Sequence, residues 1–172
     1  MDQSTTVCFT GYRPEKMPEW QDEANPAVRK VKEALAAAVS ESIDCGYTHF
    51  ITGAARGFDL WAGECVLALK AAGAAVTLEC ALPFAAQATG WSHDEVLRYR
   101  ALLAAADRQT LTAKAYEPGC YDKRNRYMVD HASRLITFFD GRPGGTKSTV
   151  RYAEKAGLEI INLYDDGQLF FL

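Results

Sequence analysis

No stretch of this sequence stays apolar for the roughly 18 residues that a membrane-spanning helix requires. The first residues, Met1 to Thr6, are polar and lack the basic and apolar regions of a secretory leader. Both absences point to a cytoplasmic protein with no membrane partner. Histidine is scarce, and His49, His93 and His131 lie far apart without acidic or cysteine neighbours at metal-ligand spacing, so no metal is expected. The five cysteines, Cys8, Cys45, Cys65, Cys80 and Cys120, are odd in number and scattered, without a CxxC pair, and read as reduced thiols. A GxSxG elbow is missing, which removes support for an α/β-hydrolase triad. An excess of positive charge is missing too. Lys and Arg total 19 against 22 Asp and Glu, a formal charge of −3, so no global field draws the chain to nucleic acid or anionic membrane. Nucleic acid is therefore not the expected partner, and any anion site must be local.

What the sequence does have is enough apolar surface for a core: 48% of its 172 residues are hydrophobic and 11% aromatic, consistent with one domain over residues 1–172. Short β-rich runs alternate with longer helical patterns, the mark of βαβ units. Strands are predicted at Thr5–Thr10, Thr48–Thr52, Val76–Leu82, Arg108–Thr112, Arg134–Phe139 and Glu159–Leu163. Between the first two, Asn25 and Pro26 read as an N-cap followed by proline at the first helical position, with Val28, Val31, Leu35 and Val39 at helical spacing and Gly46 as the stop. Further helices are predicted at Phe58–Ala72, behind the Ser92/Glu95 capping box, at Tyr121–Ala132 and at Lys147–Ala156. The expected fold is α/β and Rossmann-like: a mainly parallel sheet of about six strands with helices on both faces. The connections 11–25 and 113–119 are long and irregular, as lids and binding loops often are.

In an open parallel sheet the ligand crevice lies beyond the carboxyl ends of the strands, so the informative residues follow each strand. After the first come Thr10, Gly11 and Arg13, a turn and a cation suited to an oxyanion, or equally an ordinary turn with a surface arginine. After the second, Gly53, Ala54 and Gly57 lead into a helix whose N-terminus suits an anion. Asp59 there either holds a ribose hydroxyl or stabilises the helix start. Lys123, Arg124 and Arg126, with Asn125 among them, place cations in a first helical turn against the macrodipole, which a bound phosphate or neighbouring carboxylates would explain. After the fifth strand, Asp140 precedes Gly144, Gly145 and Thr146, which resemble a phosphate cradle without the full P-loop spacing; Thr146 is read as a helix cap or a phosphate ligand. Trp20, Trp61 and Trp91 read as core or rim aromatics.

Taken in order, Phe9-Thr10-Gly11-Tyr12-Arg13-Pro14, Gly53-Ala54-Ala55-Arg56-Gly57-Phe58-Asp59, Arg124-Asn125-Arg126 and Gly144-Gly145-Thr146 resemble the YpsA-like family of the SLOG superfamily, from about Thr6 to Leu163. The resemblance implies a Rossmann-like fold whose glycine-rich loops bind a nucleotide or nucleotide-derived ligand, often in a homo-oligomer, with no cofactor implied. The same superfamily contains phosphoribohydrolases and a DNA-processing protein, so a hydrolase and a DNA-binding accessory protein are the alternatives. The phosphoribohydrolases carry PGGxGTxxE. Here Pro143-Gly144-Gly145-Thr146 is one residue short, and Thr149 stands where the glutamate is expected. The carboxylate that would stabilise an oxocarbenium-like state is missing, with Asp59 and Asp140 as substitutes to test.

Overall fold

The computed structural model describes residues 2–164, in which six strands and five α-helices alternate. The strands are β1 (Thr6–Thr10), β2 (His49–Thr52), β3 (Thr77–Leu82), β4 (Arg108–Leu111), β5 (Arg134–Thr137) and β6 (Glu159–Asn162). The helices are α1 (Pro26–Asp44), α2 (Phe58–Ala71), α3 (His93–Ala105), α4 (Cys120–Asp130) and α5 (Gly145–Ala156). All pairings are parallel, in the order β4-β3-β2-β1-β5-β6. This is the Rossmann-like fold the alternation predicted.

The order explains the layers. From β1 to β4 the chain steps one way across the sheet, and right-handed crossovers put α1, α2 and α3 on one face. It then returns past β1 to β5 and β6, which puts α4 and α5 on the other. Alternation along the strands supplies both cores. Val7, Phe9, Phe50, Leu78 and Ile136 face one cluster with Val31 and Leu35 of α1, while Cys8, Ile51, Ala81 and Leu135 face a second with Met128, Val129, Val150 and Ala153 of α4 and α5. Central β1 is buried along its whole length, whereas the edge strands β4 and β6 are largely exposed.

Local signals act as read for three helices. The Asn25 side chain accepts from Ala27 N at 2.9 Å with Pro26 at the first position of α1, and the Ser92/Glu95 box closes on α3. Gly73, at φ +105, follows the end of α2. The start of α5 differs from expectation. The helix begins at Gly145, two residues before Lys147, because Gly144 at φ +143 makes the turn that a β-branched residue resists. Thr146 is therefore inside the first turn and does not cap it.

The connection after β1 also differs from an open loop. It contains 3-10 turns at Pro14–Lys16 and Pro18–Gln21 and is nailed down by aromatics. Trp20, 2% exposed, has ring centroids 4.8 Å from Trp61 and 5.0 Å from Phe138, and Tyr12 and Met17 are buried beside them. As expected of core aromatics, Trp20 and Trp61 are buried. Trp20→Ala removes the anchor shared by this segment, α2 and the end of β5. We expect a loss of about 3–5 kcal/mol in urea unfolding; a loss under about 1 kcal/mol would show that the segment is not held by this packing.

Candidate functional site

Doubly wound sheets open a crevice where successive connections leave in opposite directions. Here that point lies between β1 and β5, and a cleft of about 210 Å³ occupies it. Thr10, Gly11, Arg13, Asp59, Arg124, Asn125, Gly145 and Thr146 line it, so four sequence-distant loops meet there. Gly53, Ala54, Gly57, Asp140 and Gly144 do not line it.

The residues outside the cleft shape it from beneath. Arg124 of α4 is 3% exposed; its Nη1 donates to the Gly53 carbonyl at 2.7 Å and the Ala81 carbonyl at 3.3 Å, and its Nε to Asn125 Oδ1 at 2.7 Å. A Cβ on Gly53 would overlap Nη1 and lie 2.7 Å from Asp59 Oδ2, so glycine is needed for these two side chains to meet the strand end. Ala54 has φ +51, a left-handed conformation costing on the order of 1 kcal/mol for a residue with a Cβ. It is held there by Thr52 Oγ1, which accepts from Ala54 N at 3.2 Å, and by Gln87, whose Nε2 donates to Gly53 O at 3.2 Å. A Cβ on Gly57 would come 2.7 Å from the Tyr12 carbonyl. This loop therefore packs under the β1 turn, and the N–H of Phe58 is spent on Tyr12 O at 3.2 Å.

The rim is cationic and partly unengaged. The Arg13 side chain forms no ion pair or hydrogen bond among the described residues; its guanidinium lies 5.2 Å from the centroid of Tyr121. The N-terminus of α5 has no side-chain cap, because the N-cap residue is Gly144, and Thr146, inside the first turn, donates its hydroxyl to the Gly11 carbonyl at 3.2 Å. Gly145 and Thr146 of this first turn, at the positive end of the dipole, line the cleft. Lys16 crosses in front of this turn, donating to Pro143 O at 2.6 Å.

The other two cations of α4 have carboxylate partners: Lys123 pairs with Glu117 at 3.7 Å and Arg126 with Asp122 at 2.8 Å, all exposed. Asp140 is likewise engaged. It accepts a short hydrogen bond from the Tyr12 hydroxyl and an ion pair from Arg142 Nε at 2.6 Å. Burial alone would raise its pKa, but these partners hold the carboxyl below its usual range.

Asp59 is the exception among the acids. It is 7% exposed, and its Oδ1 is buried without a hydrogen-bond partner among the described residues. Burial pushes its pKa up to about 6, against the opposing pull of the Arg124 and Arg13 guanidinium groups and the Gly11 N–H. The cleft thus combines an uncapped helix N-terminus, two guanidinium groups and one buried acceptor lacking a donor. An anion carrying a hydroxyl answers all of them.

Reading the sequence missed Tyr12, Lys16, Ala55 and Tyr121 as cleft residues and Gln87 as the support of the Gly53 carbonyl. Tyr12 and Ala55 lie within the family motifs, but Lys16, Tyr121 and Gln87 carry no local signal.

The strand order, with its cleft at the switch point, defines a doubly wound Rossmann-like protein. Comparison with known proteins narrows this class: the YpsA model, the YspA SLOG family, matches residues 7–163, and the chain belongs to that family. The SPbeta prophage-derived protein YoqJ of Bacillus subtilis (strain 168) is 31% identical over 157 residues, covering 83% of this chain and 92% of that protein. A UPF0398 protein of Bacillus thuringiensis (strain Al Hakam) is 28% identical over 167 residues, covering 95% and 90%. Among solved structures, DNA processing protein A from Streptococcus pneumoniae has a TM-score of 0.57 at 13% identity, over 91% of this chain and 49% of that one. The Helicobacter pylori protein, described in its single-stranded DNA binding mode, gives 0.61 at 16%, over 92% and 64%. This chain therefore spans about half to two thirds of those two structures, which share its fold.

The raised pKa of Asp59 has a signed consequence for stability. An acid whose folded pKa exceeds its unfolded value of 3.8 contributes stability that is complete below that value and is lost as pH rises through about 6. Asp59→Asn removes this loss. Relative to wild type, the variant should gain stability between about pH 4 and about pH 7, by on the order of 3 kcal/mol at most. Urea unfolding of both proteins across that range measures it, and a pH-independent difference would show that Asp59 ionises normally.

Proposed function

We propose that this cleft binds the phosphate and ribose of a nucleotide or nucleotide-derived molecule, and that the protein acts as a ligand-binding, sensor-type domain. The observation that carries the reading is that one cleft is lined by Arg13, whose side chain has no ion pair or hydrogen bond among the described residues, by the first turn of α5, which has no side-chain cap, and by Asp59, whose buried Oδ1 has no partner among those residues. Arg13 and Arg124 neutralise the phosphate, Gly145 and Thr146 present backbone N–H groups to it, and Asp59 accepts from a ribose hydroxyl. Lys16 is near enough to exchange its Pro143 carbonyl for a phosphate oxygen. Among the described residues no helix is long and apolar enough to cross a membrane. With free cysteines, three of them buried, a reducing cytoplasm is the proposed setting.

The hydrolase alternative lacks its carboxylate. Thr149, in the expected place, is 4% exposed and donates its hydroxyl to the Gly145 carbonyl at 2.9 Å within α5. Asp140 is tied to Tyr12 and Arg142, which leaves Asp59 as the one carboxylate lining the cleft among the described residues. A second reading, that the cleft takes a backbone phosphate of single-stranded DNA, is favoured by the likeness in fold to the two DNA processing proteins, one of them described with single-stranded DNA. It predicts affinity that falls steeply with salt as several phosphates are engaged. A mononucleotide in the cleft gives a shallow dependence instead.

Gly145→Asp tests the site cleanly. A Cβ at this position meets nothing within 4 Å, and an acid in the first turn of α5 favours the helix, so the variant should fold at least as well as wild type. Its carboxylate would nonetheless occupy the phosphate position. Calorimetric titration with adenosine monophosphate and ribose phosphate should show binding to wild type and a loss of at least about tenfold, or 1.4 kcal/mol, in the variant. Arg13→Ala should weaken binding by about 1.5–3 kcal/mol, as expected for a hydrogen bond to a charged group. Unchanged affinity in folded Gly145→Asp would place the phosphate elsewhere.

A further inference from the structure

We infer that the loop 112–119, after edge strand β4, forms a subsite for the planar base of the bound ligand, with Tyr116 as its stacking surface. The inference rests on the phosphate reading above and adds where the remainder of the ligand goes. At about 210 Å³ the cleft is smaller than the ~300 Å³ typical of the smallest complete ligand sites, so it accommodates the phosphate and ribose and directs a base out over its rim.

The rim offers a specific exit. Tyr121, in the first turn of α4, lines the cleft with Arg13 over its ring. Phe84, just after β3, meets Tyr121 edge-to-face at 5.9 Å and Tyr116 edge-to-face at 5.8 Å. Phe84 is itself nearly buried with Ala113 and Cys120, so both tyrosine rings meet a packed neighbour. Tyr116 is 68% exposed, the most exposed large hydrophobic side chain among the described residues. Tyr116 also lines a second cleft, of about 570 Å³, with Leu111 to Ala115, Glu117 and Lys123.

Other aromatics near the site are spoken for. Tyr12 is buried with Lys16 and Arg142 near its ring at 5.2 and 5.1 Å, and Trp91 is packed against Tyr99 and Arg56. Tyr116 combines an open ring, an edge-to-face contact with the nearly buried Phe84 and, through Phe84 and Tyr121, a chain of ring contacts to the cleft. A surface tyrosine held in this way suits a flat, weakly polar partner, because every nucleobase has a π-face that stacks on it.

The test compares a ligand with and without its base. Adenosine monophosphate, cytidine monophosphate and ribose phosphate are titrated by calorimetry into wild type, Tyr116→Ala and Tyr116→Phe, with circular dichroism to confirm folding. We expect wild type to bind at least one of the mononucleotides more tightly than ribose phosphate. Tyr116→Ala should lose at least about fivefold for that mononucleotide while its ribose phosphate affinity is unchanged, and Tyr116→Phe should restore it. If wild type binds all three equally, or if Tyr116→Ala leaves mononucleotide affinity unchanged, the base subsite is overturned and the phosphate site stands. A loss equal for ribose phosphate and mononucleotide also overturns it, since Tyr116 would then be shaping the cleft. Wild type binding none of the three overturns the phosphate reading and this one with it.

Discussion

A guanidinium buried at the floor of the cleft constrains the rest of the site. Moving a charge out of water costs several kcal/mol unless hydrogen bonds and counter-charge replace the lost hydration. Arg124 obtains that replacement from the Gly53 and Ala81 carbonyls, from Asn125 and from the field of Asp59. Each partner is then constrained in turn. Gly53 cannot carry a side chain, Ala54 sits in a left-handed conformation, and Gln87 is buried to complete the shell of the Gly53 carbonyl. The bond network joins α4 on one face of the sheet to the ends of β2 and β3, so the cleft is fixed before any ligand arrives.

The segment after β1 is fixed by different physics. It carries Arg13 and Lys16, whose charges would favour an extended, solvated loop, yet the rings of Trp20, Trp61, Phe138 and Tyr12 bury enough apolar area to hold it down. Polar ties reinforce the packing: Arg56 pairs with Glu15 and Glu95, and Arg98 bridges Glu23 and Glu64. These surface pairs contribute modestly one at a time, but they link the loop to α2 and α3 at several points. Cations at the rim are thereby presented on a rigid frame, which lowers the entropy lost on binding an anion.

Chemistry at the site follows from an imbalance of partners. Most charged groups at this end of the sheet have a carboxylate, guanidinium or carbonyl to answer them, as Asp140 does with Tyr12 and Arg142. Among the described residues the Arg13 side chain, the first turn of α5 and Asp59 Oδ1 do not. This imbalance of unanswered groups of both signs around one cleft is what the proposed sugar-phosphate ligand, with both an anion and a hydrogen-bond donor, would complement.

Taken alone, the sequence determined the elements and their class. Alternation of period 2 and period 3.6, an Asn25-Pro26 helix start and a Ser92/Glu95 capping box are local properties, and local physics places them within a residue or two. It also marked the loops that meet at the cleft, because in a parallel sheet every strand-to-helix turn lies at the same end. What it left open was which groups in those loops turn inward. Thr146 reads as a cap from its neighbours but is placed by Gly11 across the sheet, and Lys123, Arg124 and Arg126 read alike although one is buried and two are exposed. Tyr121 and Gln87 enter the site through contacts over long separations in the chain. Only the tertiary structure decided these roles, because burial and pairing depend on which distant backbone carbonyl or carboxylate comes within reach once the sheet has assembled.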